Sequence, residues 1–235
     1  MKVALITGGT KGIGLGIAEA LIADGIKVAI TGRTANTAAQ VAAQLNKTQD
    51  GMAIGIECDV RDLASQQACV AEIMKLWGRV DYVIANAGVG HFHSIADLTP
   101  DQWQETIDVN LTGVYNTIKS SLEPLKASQG YFITIASLAG TNFFARGAAY
   151  NASKFGLVGF TQAVMLDLRQ HGIKTTTIMP GSVATYFNGH TPSDADSWKI
   201  QPEDIGQIVS DLLKMHPRTL PSKVEVRPTI PGGKK

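Results

Sequence analysis

Tyr150 and Lys154 stand four residues apart in the stretch Tyr150-Asn151-Ala152-Ser153-Lys154. On a helix, residues with that spacing lie one above the other, which sets an ammonium beside a phenol. A phenol ordinarily titrates near pH 10, and a neighbouring positive charge favours its ionised form. Such a tyrosine could give or take a proton close to neutral pH. The spacing alone is a weak signal, because Tyr115 and Lys119 repeat it. Context separates the two copies. Tyr115 is followed by Asn116, Thr117 and Ile118 and has no serine-bearing strand end just upstream, so it reads as an ordinary helix-surface pair. Tyr150 follows the β-like run Tyr131-Phe132-Ile133-Thr134-Ile135-Ala136, which ends in Ser137. Tyr150 is the copy expected to act.

The rest of the chain must position that tyrosine. Residues 2–7 form a short, nearly continuous apolar run, as expected of a strand covered on both faces. A glycine turn follows, then a helix-period segment over 13–24 that stops at Gly25. The pattern then alternates: strands over 27–31, 52–57 and 80–85, and helices over 34–47, which Thr34 could cap, and 63–77. A helix over 100–119 starts with Thr99 as N-cap and Pro100 at its first position. A fifth strand ends at Ser137, a long helix covers 148–170, and a sixth strand covers 174–179 and is broken by Pro180-Gly181. An irregular segment at 182–200 leads to a helix over 202–215, a last strand over 223–227 and a tail over 228–235. Strands alternating with helices at this spacing predict an α/β fold, a doubly wound, mainly parallel seven-stranded sheet with helices on both faces. Length agrees: 235 residues suit one domain over 1–235.

Composition narrows the function classes. A net charge of +1 offers no field for nucleic acid or a membrane surface. No apolar run approaches the roughly 18 residues needed to span a bilayer. Residues 1–9 enter a strand directly, without the layout of a signal peptide, so a cytoplasmic location is expected. Cys58 and Cys69 form no metal or disulfide pattern, and His91 and His93 lack a third ligand nearby, so no metal is expected.

The glycine turn, Thr7-Gly8-x-x-x-Gly12-Ile13-Gly14, lies where such sheets bind ligands, beyond the carboxyl end of the first strand. Backbone can approach a ligand closely there, and the helix N-terminus behind it offers free N–H groups to a pyrophosphate. The general Gly-x-Gly-x-x-Gly fingerprint does not fit, because counting from Gly12 and Gly14 the third position is Ile17.

That string resembles the nucleotide loop of the short-chain dehydrogenase/reductase family. The likeness recurs in order: Asn86-Ala87-Gly88 at the end of the fourth strand, Asn110 in Asp108-Val109-Asn110, Ser137 thirteen residues before Tyr150, Tyr150 with Lys154, and Pro180-Gly181. The resemblance implies a Rossmann-like oxidoreductase that moves hydride between a nicotinamide and a carbonyl or alcohol carbon. It implies Tyr150 as proton donor and Ser137 as hydrogen-bond partner of the substrate oxygen. Lys154 would lower the tyrosine pKa and hold the nicotinamide ribose, and Asn110 would anchor a proton-relay water. Without the resemblance, Ser137 could cap a turn and Asn110 could hold a helix kink. For the cofactor it implies Gly8, Thr10, Lys11, Gly12, Ile13 and Gly14 around the pyrophosphate, Asp59 and Val60 at the adenine, and Asn86, Ala87 and Gly88 along its length. Tyr150, Lys154, Pro180, Gly181, Val183 and Thr185 would meet the nicotinamide half.

The second strand ends in Thr31-Gly32-Arg33-Thr34, with no acid nearby. An arginine there accepts a 2′-phosphate, whereas an acid would bind a ribose hydroxyl. With Lys11 and the Thr34 hydroxyl, it favours NADP(H) over NAD(H). The loop after Gly90, the stretch 138–146 and a lid over 182–200 should carry specificity for a small ketone, aldehyde or alcohol. Alternatives are a 3-oxoacyl-thioester reductase and a non-catalytic NADP-binding regulatory protein. The chain departs from the usual thioester-reductase pattern at Arg146-Gly147-Ala148-Ala149-Tyr150 and at Val226-Arg227-Pro228. Phe155, Gly156, Val158 and Gly159 suit packing of the long helix in a homodimer, while the second departure weakens the case for a homotetramer.

Overall fold

A computed structural model describes residues 1–230, so the last part of the expected tail, 231–235, lies outside the described residues. Seven strands, β1 (Val3–Ile6), β2 (Lys27–Gly32), β3 (Ala53–Glu57), β4 (Tyr82–Ala85), β5 (Tyr131–Ile135), β6 (Lys174–Pro180) and β7 (Lys223–Val226), form one sheet. Their order is β3-β2-β1-β4-β5-β6-β7, with each neighbouring pair parallel. The helices are α1 (Gly12–Ala23), α2 (Ala35–Asn46), α3 (Leu63–Trp77), α4 (Pro100–Ile107), α5 (Gly113–Ser128), α6 (Ala148–Leu168) and α7 (Pro202–Lys214).

Strand side chains alternate between the two faces. Val3 and Leu5 pack into the layer with α3, α5 and α6, and Ala4 and Ile6 into the layer with α1, α2 and α7. Because both layers are covered, the β1 sequence is a continuous apolar run instead of an alternating one. Burying each large aliphatic side chain here stabilises the fold by about 1.5–3 kcal/mol. The chain winds outward from β1 to β3, returns to β4 on the other side of β1, and winds outward again. The reversal opens a crevice beyond the carboxyl ends of β1 and β4.

Two of the expected helices differ in detail from the sequence expectation. The helix expected over 100–119 is interrupted by a wide π turn, Asp108–Thr112, and α5 then runs past Pro124 to Ser128. Such turns insert a residue and redirect side chains, here sending Asn110 inward to full burial. Thr34 occupies the N-cap position of α2, but its hydroxyl donates to Thr37 Oγ1 at 2.9 Å and caps nothing. Asp62 caps α3, accepting from the Ala64 N–H at 2.9 Å. Thr99 does cap α4, in a reciprocal pair with Gln102. Among the described residues no helix is long and apolar enough to cross a membrane.

Candidate active site

The carboxyl ends of all seven strands open on one cleft of about 1690 Å³. Its walls include Gly8, Arg33, Asp59, Gly88, Ser137, Gly181 and Arg227, one residue from beyond each strand. Drug-sized ligands occupy about 300–1,000 Å³, so a dinucleotide and a second molecule fit together. Of the residues expected at the cofactor, Gly8, Thr10, Lys11, Gly12, Ile13, Arg33, Thr34, Asp59, Val60, Asn86, Ala87, Gly88, Tyr150, Lys154, Pro180, Gly181, Val183 and Thr185 line this cleft. Gly14 does not. It lies behind the turn, where an added Cβ would come within 2.5 Å of Asn86 Nδ2 and 2.6 Å of the Gly8 carbonyl oxygen.

That turn is tied to the end of β4. Asn86 Nδ2 donates to the carbonyls of Thr7 (2.9 Å) and Gly8 (3.0 Å). In return, Thr7 Oγ1 accepts from the backbone N–H groups of Asn86 (3.0 Å) and Ala87 (3.1 Å). Asn86 therefore acts through its side chain as well as its backbone. Thr7, which the sequence offers only as part of a string, is its partner. Neither α1 nor α2 has a side-chain cap, and Gly12 and Ile13 of α1 and Thr34 and Thr37 of α2 face the cleft. Two uncapped helix N-termini with free N–H groups fit two phosphate-bearing points of one ligand. Lys11 stands beside the first, its ammonium 6.0 Å from the Tyr186 ring centroid, and Arg33 beside the second. Asp59 takes the Arg61 guanidinium on both oxygens, at 2.5 and 3.0 Å. Arg61 first, and Arg33 more weakly, hold the Asp59 carboxyl below the usual range against its partial burial.

At the other end, Ser137, Tyr150 and Lys154 share one wall. The Lys154 ammonium is 5.6 Å from the Tyr150 ring centroid and donates to the Ile135 carbonyl at 3.1 Å. Lys154 is only 4% exposed, and burial lowers its pKa to about 8. The expected acidification of Tyr150 is not found. Burial pushes the phenol above its usual value, and the Ser137 hydroxyl beside it works in the opposite direction without prevailing. Desolvation of the phenolate outweighs the hydrogen bond with Ser137. Ser137 Oγ accepts from the Ala139 N–H (3.1 Å) and donates weakly to the Pro180 carbonyl (3.4 Å), so it also caps a short turn. Tyr115, the rival copy, is 47% exposed on α5.

Asn110 is fully buried, and its side chain does not line the cleft. Oδ1 accepts from the Val89 N–H (2.8 Å), and Nδ2 donates to the Val89 carbonyl (2.9 Å) and Ser153 Oγ (3.0 Å). Both amide hydrogens are engaged, so the side chain locks the loop after β4, as a residue bonding backbone groups would.

Aromatic rings crowd the phenol. Phe92 meets Tyr150 edge-on with ring centroids 5.3 Å apart, and Phe187 lies 5.7 Å away. Phe144 stands behind Phe92 at 5.8 Å. A β-bridge between His93 and Gly147 holds the first loop against the start of α6. A second, between Val183 and Ile200, closes the base of the 182–200 segment. Asn151, which sequence reasoning passed over, donates to the carbonyls of Ala139 and Asn142, both at 2.8 Å, and so fixes the stretch that carries Phe144. Its signal was a buried amide directly after the key tyrosine.

A fold wound in this order, with a glycine turn facing a Ser, Tyr and Lys wall, defines a nucleotide-dependent oxidoreductase. A family model described as short chain dehydrogenase matches residues 2–196, and the chain belongs to that family. It is 35% identical over 186 residues to a D-beta-hydroxybutyrate dehydrogenase of Cupriavidus necator, covering 78% of this chain and 71% of the relative. An alcohol dehydrogenase from the archaeon Thermococcus sibiricus, complexed with 5-hydroxy-NADP, superposes over 100% of both chains with a TM-score of 0.93 and 28% identity. A 3-ketoacyl-(acyl-carrier-protein) reductase from Brucella melitensis, complexed with NADH, superposes over 97% of both with a TM-score of 0.88 and 25% identity.

Proposed function

We propose that this oxidoreductase reduces a ketone or aldehyde to an alcohol, with NADPH as reductant and Tyr150 as proton donor. When bound, the reduced nicotinamide supplies the hydride. Negative charge then grows on the carbonyl oxygen, and the protein must meet it with donors. Ser137 holds that oxygen and Tyr150 delivers the proton. The observation that carries the reading is the alignment of Ser137, Tyr150 and Lys154 on one wall of the cleft, with the phenol kept protonated by burial. A general acid must hold its proton until the transition state, and at neutral pH the phenol does so. Lys154 binds the nicotinamide ribose, and Asn110 is a positioning residue that keeps the loop after β4 in register with Lys154.

The preference for NADPH rests on Lys11, Arg33 and the uncapped start of α2 with its Thr34 and Thr37 hydroxyls. A 2′-phosphate would supply the missing cap. The relatives' names include both cofactors, so the charges of this chain carry the argument. Residues 1–235 act as one domain, with 182–200 as substrate lid, and Phe155, 43% exposed on α6, marks the helix through which two copies would pair.

Tyr150→Phe should retain NADPH binding and lose carbonyl reduction by about 10²–10⁴-fold. Turnover preserved in that variant removes the proton-donor role. Arg33→Ala should lower kcat/KM with NADPH by at least about tenfold and leave NADH nearly unchanged. An equal loss with both cofactors would refute the phosphate contact.

A further inference from the structure

The substrate end of the cleft differs from the cofactor end in its charges. Lys11 and Arg33, at the phosphate end, make no ion pair among the described residues. At the substrate end, the charged side chains that line the cleft, Lys154 apart, already have partners. His91 pairs with Glu105 at 2.8 Å, His190 and Lys199 both close on Asp196 at 2.6 and 2.5 Å, and Arg227 pairs with Glu225 at 3.0 Å. Lys199 first, then His190 and the Ser193 N–H, hold the Asp196 carboxyl well below its usual range, so Asp196 remains a carboxylate at neutral pH. Beyond Lys154, whose ammonium is buried beside Tyr150 and donates to the Ile135 carbonyl at 3.1 Å, a substrate carboxylate or phosphate would find no unpaired cation here, and burying it unpaired is costly.

Rings stand where a charge clamp would be. Phe92 and Phe187 come from separate segments and converge on Tyr150, and Phe144, from a third, backs Phe92. Two glycines make room for them. A Cβ on Gly90 would fall 2.7 Å from Phe187 Cε1 and 3.0 Å from Phe92 Cζ, and one on Gly147 would fall 2.6 Å from Phe144 Cε2. The rings are therefore seated on glycine backbone. Their edges and faces favour a flat apolar partner at about 5 Å centroid spacing.

We propose that the site takes an uncharged carbonyl compound with a flat apolar group beside the carbonyl, an aryl ketone or aldehyde, and that Phe92 and Phe187 set this specificity. The inference rests on the carbonyl-reductase reading given above. The carbonyl carbon receives hydride from C4 of the reduced nicotinamide. Its oxygen takes the π pair and then the Tyr150 proton, so that the ketone is reduced to the alcohol and the nicotinamide is oxidised.

The test combines turnover with binding. With NADPH, kcat/KM is compared for acetophenone, butane-2,3-dione, acetoacetate and a 3-oxobutyryl N-acetylcysteamine thioester. Separately, the affinity of benzamide, an unreactive flat mimic, is measured by calorimetry. Acetophenone should exceed acetoacetate by at least about 100-fold, because a buried carboxylate lacks a partner. Phe92→Leu and Phe187→Leu, which keep apolar bulk, should each lower the acetophenone-to-butanedione ratio and the benzamide affinity by about tenfold. Preference for acetoacetate or the thioester overturns the proposal. So does an unchanged ratio with unchanged benzamide affinity in both folded variants. If no carbonyl consumes NADPH yet benzamide binds and both variants weaken it, carbonyl reduction falls and the ring-binding site stands.

Discussion

Lys154→Met should make the protein more stable at neutral pH while disabling it. The lysine is almost fully buried, and its ammonium has one hydrogen bond, to the Ile135 carbonyl at 3.1 Å. Burial lowers its pKa from 10.5 to about 8. At about 1.4 kcal/mol per pH unit, that difference is a cost of about 3 kcal/mol whenever the group is charged in the folded state. The sign follows from proton binding. Between about pH 8 and 10.5 the unfolded chain holds the proton that the folded chain has released, so stability rises with pH across that window. Below about pH 8 the whole penalty applies. Methionine follows the side chain as far as Cε without the charged nitrogen, and leaves the Ile135 carbonyl short of a donor at a cost of about 1 kcal/mol. The net gain at pH 7 is about 2 kcal/mol, or roughly 4–8 °C in Tm for a chain of this size. Thermal melts of the cofactor-free protein at pH 7 and pH 10 measure it. The gain should be present at pH 7 and gone or reversed at pH 10. A variant that melts no higher at pH 7, or one whose gain is the same at both pH values, would refute the desolvation argument.

Two further outcomes follow from the same geometry. Gly14→Ala forces a methyl group against Asn86 Nδ2 and the Gly8 carbonyl, so it should destabilise the fold by about 1–3 kcal/mol and weaken NADPH binding, read by fluorescence titration. Asn110→Leu leaves both polar groups of Val89 unpaired and should cost about 2–5 kcal/mol in urea unfolding, with Asn110→Asp intermediate because it keeps the bond to the Val89 N–H.

Much of this was legible in the residues because strands buried on both faces announce themselves as apolar runs between glycine and proline breaks. The ends of β1, β4, β5 and β6 carried Gly8, Asn86, Ser137 and Pro180, and the structure brings those ends to one cleft. What the sequence withheld is depth. Spacing puts Lys154 beside Tyr150, but it does not say that the wall buries both, and burial reverses the direction in which the phenol shifts. The π turn at Asp108–Thr112 was hidden for a related reason: a helix and a wide turn share nearly the same periodicity over five residues. The aromatic enclosure was out of reach because Phe92, Phe144 and Phe187 meet only through long-range folding, and Gly90 and Gly147 look like ordinary loop glycines until the rings rest on them.

The bridges His93–Gly147 and Val183–Ile200 pin three excursions of the chain to a frame that would stand without their tips. Tool and handle are thus separable. Residues at those tips can be exchanged to accept a different molecule, while the machinery rooted in the sheet ends and in α6 is left alone. Laboratory retargeting of this enzyme should therefore begin at the excursions.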